Sequence, residues 1–168
     1  NGALNIDRDF GLKAYYNHGL GSVARYAIKG AITTGEGRSA NGSDTGLAYT
    51  GRVELLPFGA FQDGGDYSEG DQAREPTPKV SVAGGYSFNR RTIRTGGQLG
   101  PELYQPVDLG TLIVDGVAKY RGWAYLVEYL DRRSPQPLTY NGTGELRYAY
   151  VGRGLNQQLS YLLPSNLE

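Results

Sequence analysis

The stretch VAKYRGWAYLVEY, residues 117–129, decides the fold because two alternating patterns meet in it at one Arg-Gly pair. On either side of Arg121 and Gly122, apolar or aromatic residues alternate with polar ones. Successive side chains of a β-strand point to opposite faces, so a period of two indicates a strand with one apolar and one polar face. The stretch therefore predicts two strands joined by a tight turn, with an apolar medium on one side and water on the other.

The same alternation recurs along the rest of the chain. Its 26 Gly and 8 Pro residues cluster between the alternating segments, which is typical of an all-β chain. The pattern predicts about eight amphipathic strands. Two lie in 112–129, and the others are 4–16, 23–33, 47–57, 79–88, 145–154 and 155–163.

Composition excludes several classes of protein. Lys and Arg together number 17, as do Asp and Glu, so no net charge draws the chain to nucleic acid. The absence of Cys rules out a disulfide framework, a thiolate zinc site and a Cys nucleophile. No run of about 18 apolar residues exists, which excludes a transmembrane helix.

The apolar faces are rich in aromatic residues that carry a polar group. The chain has 14 Tyr and 1 Trp against 4 Phe, whereas a sandwich core is filled mostly by aliphatic residues and Phe. Tyr and Trp are enriched at membrane interfaces, and strands can cross a bilayer only in a closed barrel. The pattern favours an antiparallel transmembrane β-barrel. Two alternatives stay open, namely a soluble β-sandwich that binds carbohydrate and a non-conducting barrel subunit of a surface assembly.

The lengths of the connections support a barrel, since outer-membrane barrels alternate short turns with long loops. Short connections are predicted at 17–22, 121–122 and 152–156, and long ones at 34–46, 89–110 and 131–145. The acidic connection 59–79 is long although it falls on the short-turn side. It contains either an additional strand or an excursion on that side.

Several stretches resemble the phosphate-selective porin O/P family, in the versions found in Bacteroidetes-like bacteria. They are LNIDRDFGLKAYY, YTGRVELLPFG with the acidic connection after it, VDGVAKYRGWAYLVEY and LSYLLPSNLE. The resemblance implies a sixteen-stranded porin of the bacterial outer membrane, often trimeric, whose type members pass phosphate through an Arg- and Lys-lined constriction. Residues 1–168 would then be a single incomplete domain of about half a barrel, continuing beyond Glu168 and in front of Asn1.

Basic residues dominate the polar faces and are the candidate pore-lining, anion-binding residues. Rings of such residues favour anions; alternatively, they pair across strands with Asp7, Asp9, Glu54, Asp115 and Glu128 and give no selectivity. The candidates are Lys13, Arg25, Lys29, Arg52, Lys79, Lys119, Arg121, Arg147 and Arg153. An aromatic girdle is predicted at Tyr120, Trp123, Tyr125, Tyr148 and Tyr150.

No catalytic, cofactor or metal site is predicted. The single His, His18, stands beside a turn, and the acidic run DGGDYSEGD lacks the ligand spacing of a calcium loop. We expect a passive channel of the bacterial outer membrane, either weakly anion-selective or dedicated to phosphate. Its expected partners are outer-membrane lipids, lipopolysaccharide, small anions such as phosphate, and the other copies of a homotrimer.

Overall fold

Antiparallel strands make up most of the regular structure. The computed structural model of the chain describes residues 9–21, 23–37 and 46–163, apart from the side chain of Tyr67. Within this part no helix is long and apolar enough to cross a membrane. The strands are β1 (Gly11–Leu20), β2 (Ala24–Thr33), β3 (Ala48–Leu56), β4 (Lys79–Arg94), β5 (Glu102–Tyr120), β6 (Trp123–Arg133), β7 (Leu138–Tyr140), β8 (Leu146–Tyr148) and β9 (Gly152–Tyr161).

Seven of these strands form one sheet, in the order β1-β2-β3-β4-β5-β6-β9. Every neighbouring pair in it is antiparallel, while β7 and β8 form a separate hairpin. The prediction of an antiparallel all-β fold is confirmed. Over the described residues the sheet is not closed, because its edges β1 and β9 do not pair with each other.

Two predicted boundaries are wrong at the C-terminal side of the sheet. The predicted turn 152–156 lies inside β9, where Arg153 pairs with Asp131 of β6 and keeps Gly152 and Gly154 in the ladder. The predicted strand 145–154 is therefore divided between β8 and β9. The short strand β7, which pairs with β8, was not predicted because three residues are too few to show a period.

The predicted loop 89–110 is mostly strand. Both β4 and β5 extend beyond the neighbouring strands, and only residues 95–101 connect them. The ladder between them slips between Asn89 and Thr92 and again between Thr92 and Arg94, and such bulges break the strict alternation that marks a strand in sequence. A small core of Leu103, Val107, Leu109 and Ala149 supports this extension.

The β5–β6 turn is the tight turn that the sequence predicts at Arg121 and Gly122. Both residues have positive φ angles, 49° and 91°, as the two central residues of the preferred two-residue hairpin turn do. A Cβ at Gly122 would lie 3.0 Å from both Arg74 Nη1 and the Leu162 carbonyl oxygen. Glycine is therefore needed here for its backbone conformation and for space.

The sheet has one apolar and one polar face, and the register shows which residues share each. Directly paired residues point to the same side, so Leu12, Ile32 and Tyr49 form one apolar row across three strands. The polar face carries another such row, in which Lys29 stands beside Arg52. Two segments lie against the polar face: 57–78, between β3 and β4, at the end of the Arg121–Gly122 turn, and 95–100 at the opposite end. We name these the short-turn end and the long-loop end.

Exposure of the two faces is the reverse of that in a water-soluble sheet. Leu12 and Leu159 on the apolar face are 82% and 67% exposed. On the polar face, Glu54, Lys119 and Arg132 are each 3% exposed. Other exposed apolar residues are Ile28, Val53, Leu55, Val82, Tyr86, Leu112, Val114, Trp123, Tyr125 and Leu155.

Candidate functional site

Six of the candidate basic residues share the polar face of the sheet. Cross-strand pairing places Lys29 beside Arg52 and Lys79 beside Lys119, and the alternation along each strand adds the others. The acids Glu54, Asp115 and Glu128 lie on the same face. The six basic residues are Lys13, Arg25, Lys29, Arg52, Lys79 and Lys119.

The other three candidates lie elsewhere. Arg153 is on the apolar face, paired with Asp131 of β6. The prediction placed it on the polar face because it shares the parity of Arg147 in the predicted strand 145–154, but Arg153 belongs to β9 instead. Arg147 belongs to the separate β7–β8 hairpin and lies over the ring of Tyr104, 4.4 Å from its centroid. Arg121 is in the turn, its guanidinium 5.1 Å from the Tyr120 ring.

Ion pairs occupy the middle of the polar face. Lys29 Nζ lies 3.2 Å from Glu54 Oε2, and Ser81 donates a hydrogen bond of 3.1 Å to Glu54 Oε1. Arg52 holds both carboxylate oxygens of Asp115, with Nη2 donating to Oδ2 at 2.8 Å. Part of the basic excess is thus neutralised across strands, as expected if these basic residues pair with acids of neighbouring strands.

Lys119 is covered by the segment 57–78. Its ammonium group donates hydrogen bonds of 2.7 Å to Ser68 Oγ and to the Gly70 carbonyl. Phe61 packs beneath this segment against Leu56 and Val117 of the polar face. Residues 57–78 contain a 3-10 helix at Gln62–Tyr67 but no strand, so the long acidic connection is an excursion that folds onto the sheet.

Two acids fix this segment to the β5–β6 turn. Asp71 Oδ2 accepts a 2.6 Å hydrogen bond from the Gly122 N–H, and the Glu75 carbonyl accepts one of 2.9 Å from the Arg121 N–H. Glu75 Oε1 also accepts a bond of 2.6 Å from the Gln62 N–H. Both acids are 1% exposed. A cavity of about 200 Å³ lies between them and Lys119.

Arg132 occupies the polar face at the long-loop end and was not predicted. Its Nε donates a 3.0 Å hydrogen bond to Thr111 Oγ1, and Nη1 donates to the Gly96 carbonyl at 3.2 Å. The loop 95–100 is thereby held against the sheet. The alternation on β6 that places Glu128 on the polar face continues through Leu130 to Arg132, and it is the signal for Arg132 on this face. The prediction missed it because the loop 131–145 was predicted to begin before Arg132.

Loops at the long-loop end are also connected to each other through acids. Asp9 Oδ2 accepts a 2.6 Å hydrogen bond from the Gly35 N–H, and Gln98 Nε2 lies 3.4 Å from the same oxygen. Glu36 Oε1 accepts a 3.1 Å bond from the Ile93 N–H. Burial of Glu36 raises its pKa to about 7. Asp7, the other acid predicted in this region, lies outside the described residues.

Lys13 and Arg25 are the exposed basic residues of the polar face. Among the residues that the structure describes, neither forms a hydrogen bond or an ion pair through its side chain. Over the seven-stranded sheet, basic side chains on the polar face outnumber acidic ones. The basic set is Lys13, Arg25, Lys29, Arg52, Lys79, Lys119 and Arg132, against Glu54, Asp115 and Glu128.

Three of the predicted girdle residues lie on the apolar face at the short-turn end. Tyr120, Trp123 and Tyr125 are all exposed, and the Trp123 ring lies 4.6 Å from that of Tyr161 on β9. Tyr148 and Tyr150 are not part of this group. Tyr148 ends β8 and pairs with Leu138 in the hairpin, and Tyr150 follows it, where its N–H donates to the Thr95 carbonyl at the opposite end of the sheet.

His18, the single His of the chain, lies among aromatic rings. His18 stacks on Tyr16 and meets Tyr26 edge-to-face on the apolar face, with ring centroids 5.9 and 6.2 Å away. Among the described residues, no group of three or more His, Cys, Asp or Glu side chains is placed to hold a metal ion. Comparisons of the chain with protein-family models, curated proteins and solved structures gave no match.

Proposed function

We propose that this sheet is part of the wall of a porin-like channel in a bacterial outer membrane. The observation that carries the proposal is the reversed exposure of the two faces, with large apolar side chains outside and buried charges inside. Soluble monomers rarely expose contiguous apolar patches above a few hundred Å². Lipid is the medium that suits such a face, whereas the polar face suits a water-filled lumen.

A closed barrel is the form that the proposal requires. Unpaired N–H and C=O groups at a strand edge cost several kcal/mol each in hydrocarbon. Within the described residues β1 and β9 are such edges, so in the membrane further strands must pair with both. The resemblance to sixteen-stranded phosphate-selective porins supplies a size for the complete barrel and phosphate as the first anion to test.

Insertion of the protein into lipid bilayers distinguishes the proposed membrane channel from a soluble carbohydrate-binding sandwich. The purified full-length protein, with the further strands that close the barrel, is mixed with lipid vesicles and floated through a density gradient, with and without a wash at high pH. We expect the protein to float with the vesicles and to resist the wash. A protein that stays at the bottom of the gradient without aggregating would contradict the membrane assignment.

Anion preference follows from the excess of basic residues on the polar face. In planar-bilayer recordings, replacing Lys13 and Arg25 together by Gln should lower the permeability for chloride and phosphate relative to potassium. Arg147→Gln is the control for each single change, Lys13→Gln and Arg25→Gln, because it removes one positive charge that lies outside the sheet. Channels that prefer cations, or that respond to the control as strongly as to the single changes, would contradict an anion-selective lumen. Insertion without conductance would support the alternative of a structural barrel.

A further inference from the structure

Two arginines and an aspartate form a charged cluster on the apolar face. Arg133 Nη2 lies 2.5 Å and Arg153 Nε 3.3 Å from Asp131 Oδ2. The aspartate is buried, whereas the arginine side chains are 72% and 66% exposed. The cluster carries two positive charges and one negative charge, and it stands at the long-loop end of β6 and β9.

The height of the cluster matches the thickness of a membrane. The 10-residue step from Trp123 to Arg133 corresponds to about 33 Å of strand. A strand tilt of about 40° reduces this to about 25 Å along the membrane normal, which is the height of the apolar band of an outer-membrane barrel. With Trp123 and Tyr161 at one interface, Arg133 and Arg153 stand at the headgroup level of the other.

Asp131 holds the two guanidinium groups side by side without using all their donors. It accepts bonds from Nε and Nη2 of Arg133 and contacts Nε of Arg153. A guanidinium has five N–H donors, so each keeps groups that can reach a further acceptor. A phosphate group is the oxyanion that such a planar fork binds with two parallel hydrogen bonds.

We propose that Arg133 and Arg153 bind the phosphate of a lipid headgroup in the leaflet at the long-loop end. This inference rests on the proposed membrane function and specifies one of its partners. Long loops of outer-membrane barrels face outward, so the lipid belongs to the outer leaflet. The commitment to a lipid rests on the apolar surface below the cluster, formed by Tyr129 and Leu155, which offers a contact for acyl chains.

The experiment compares lipids that differ in the charge of their phosphate. The protein is inserted into vesicles of phosphatidylcholine with about a fifth of phosphatidic acid, whose phosphate monoester is the probe, and then extracted in mild detergent. Native mass spectrometry counts the phosphatidic acid molecules retained. We expect Arg133→Gln/Arg153→Gln to retain several-fold less than the unchanged protein. Lys13→Gln/Arg25→Gln, with the same loss of charge on the polar face, should retain as much.

A charge-conserving variant and competition by inorganic phosphate test the nature of the site. Arg133→Lys/Arg153→Lys keeps the charge without the fork and should retain an intermediate amount. Flotation of the Gln variant with the vesicles shows that its loss of retention is not misfolding. Inorganic phosphate that displaced the lipid at millimolar concentration would show a site for free phosphate and would overturn the commitment to a headgroup. Equal retention by all variants in inserted protein overturns this inference alone. Failure of the unchanged protein to insert overturns the proposed function and this inference with it.

Discussion

Arg52 on β3 reaches over Gly85 of β4 to hold both carboxylate oxygens of Asp115 on β5. Gly85 pairs directly with Arg52, and a Cβ built on it would lie 3.5 Å from Arg52 Cβ and 3.2 Å from the Gly51 carbonyl oxygen. The missing side chain opens the path across the middle strand. One glycine thus allows a charge pair two strands apart and sets the charge at the centre of the polar face.

Removing the acid of this pair should strengthen anion preference. Asp115→Asn removes one negative charge from the polar face beside Arg52 and makes this face more positive. A unit charge several ångströms away in water changes the energy of a passing ion by about 0.5 kcal/mol, with opposite sign for anions and cations, so we expect the anion-to-cation permeability ratio to rise about fivefold. Reversal potentials in a salt gradient measure this ratio. Asp108→Asn, outside the polar face, is the control, and an equal rise there would point to overall charge instead.

Lys119 should control how firmly the segment 57–78 is held on the sheet. Lys119→Met keeps most of the hydrocarbon stem but removes the hydrogen bonds to Ser68 and Gly70. Hydrogen bonds from a charged donor contribute about 1.5–3 kcal/mol each to stability. The variant loses this contribution but also avoids the cost of burying a charge, so the net loss is smaller. We expect amide hydrogen exchange in 61–75 to accelerate about tenfold.

Lys13→Met provides the comparison for that change, since Lys13 is exposed on the same face and contacts no part of the segment. Its exchange pattern in 61–75 should equal that of the unchanged protein. If Lys119→Met left exchange in the segment unaltered, the packing of Phe61 against Leu56 and Val117 would be sufficient to hold it.

The turn between β5 and β6 should respond in opposite directions to changes at its two residues. Arg121 adopts a positive φ of 49°, which Asn tolerates better, so Arg121→Asn should stabilise the protein by about 0.5 kcal/mol. Gly122→Ala should destabilise it by at least about 1 kcal/mol, because it combines a φ of 91° with contacts to Arg74 and Leu162. Unfolding by denaturant in detergent measures both. Equal effects of the two changes would contradict this turn geometry.

The alternating segments were enough to predict all seven strands of the sheet and the face of most of their residues, although the start of β9 was misplaced. They failed where geometry depends on contacts distant in sequence. β9 continues through GRG because Arg153 meets Asp131, and no local signal distinguishes such a strand from a turn. Likewise, the acids Asp71 and Glu75 look like solvated loop residues until the backbone N–H groups of Gly122 and Gln62 are brought to them.

Glu36 should make the loop at the long-loop end less stable as pH rises. Burial raises its pKa from 4.5 to about 7, so the folded loop favours the protonated carboxyl. The resulting stabilisation is fully present below about pH 4.5 and is lost as pH rises through about 7. Glu36→Gln mimics the protonated state at every pH. At pH 8 it should be more stable than the unchanged protein, by an amount on the order of 3 kcal/mol at most.

The difference between the two proteins should disappear toward pH 4.5, where both carry a neutral side chain at this position. Protection of the Ile93 amide, corrected for the intrinsic pH dependence of exchange, reports the local stability because this N–H donates to Glu36. A difference that stayed constant from pH 4.5 to 8 would exclude titration of Glu36 as its cause.

Trp123 gives a direct measurement of depth because it is the single tryptophan of the chain. It is exposed on the apolar face beside Tyr161, at the end that we assign to a membrane interface. In vesicles its emission should shift to shorter wavelength. A lipid-bound quencher near the ester carbonyls should quench it more strongly than one at the acyl-chain end.

A second tryptophan position calibrates that depth measurement. In Trp123→Phe/Val127→Trp the indole moves four residues along the same strand, or about 10 Å deeper for a strand tilted by about 40°. The quencher at the acyl-chain end should then quench the emission more strongly than the one near the ester carbonyls, because the indole lies near the centre of the apolar band. Equal quenching at both positions would mean that β6 lies along the membrane surface. No quenching at either would mean that the apolar face meets protein, which is what the soluble alternative requires.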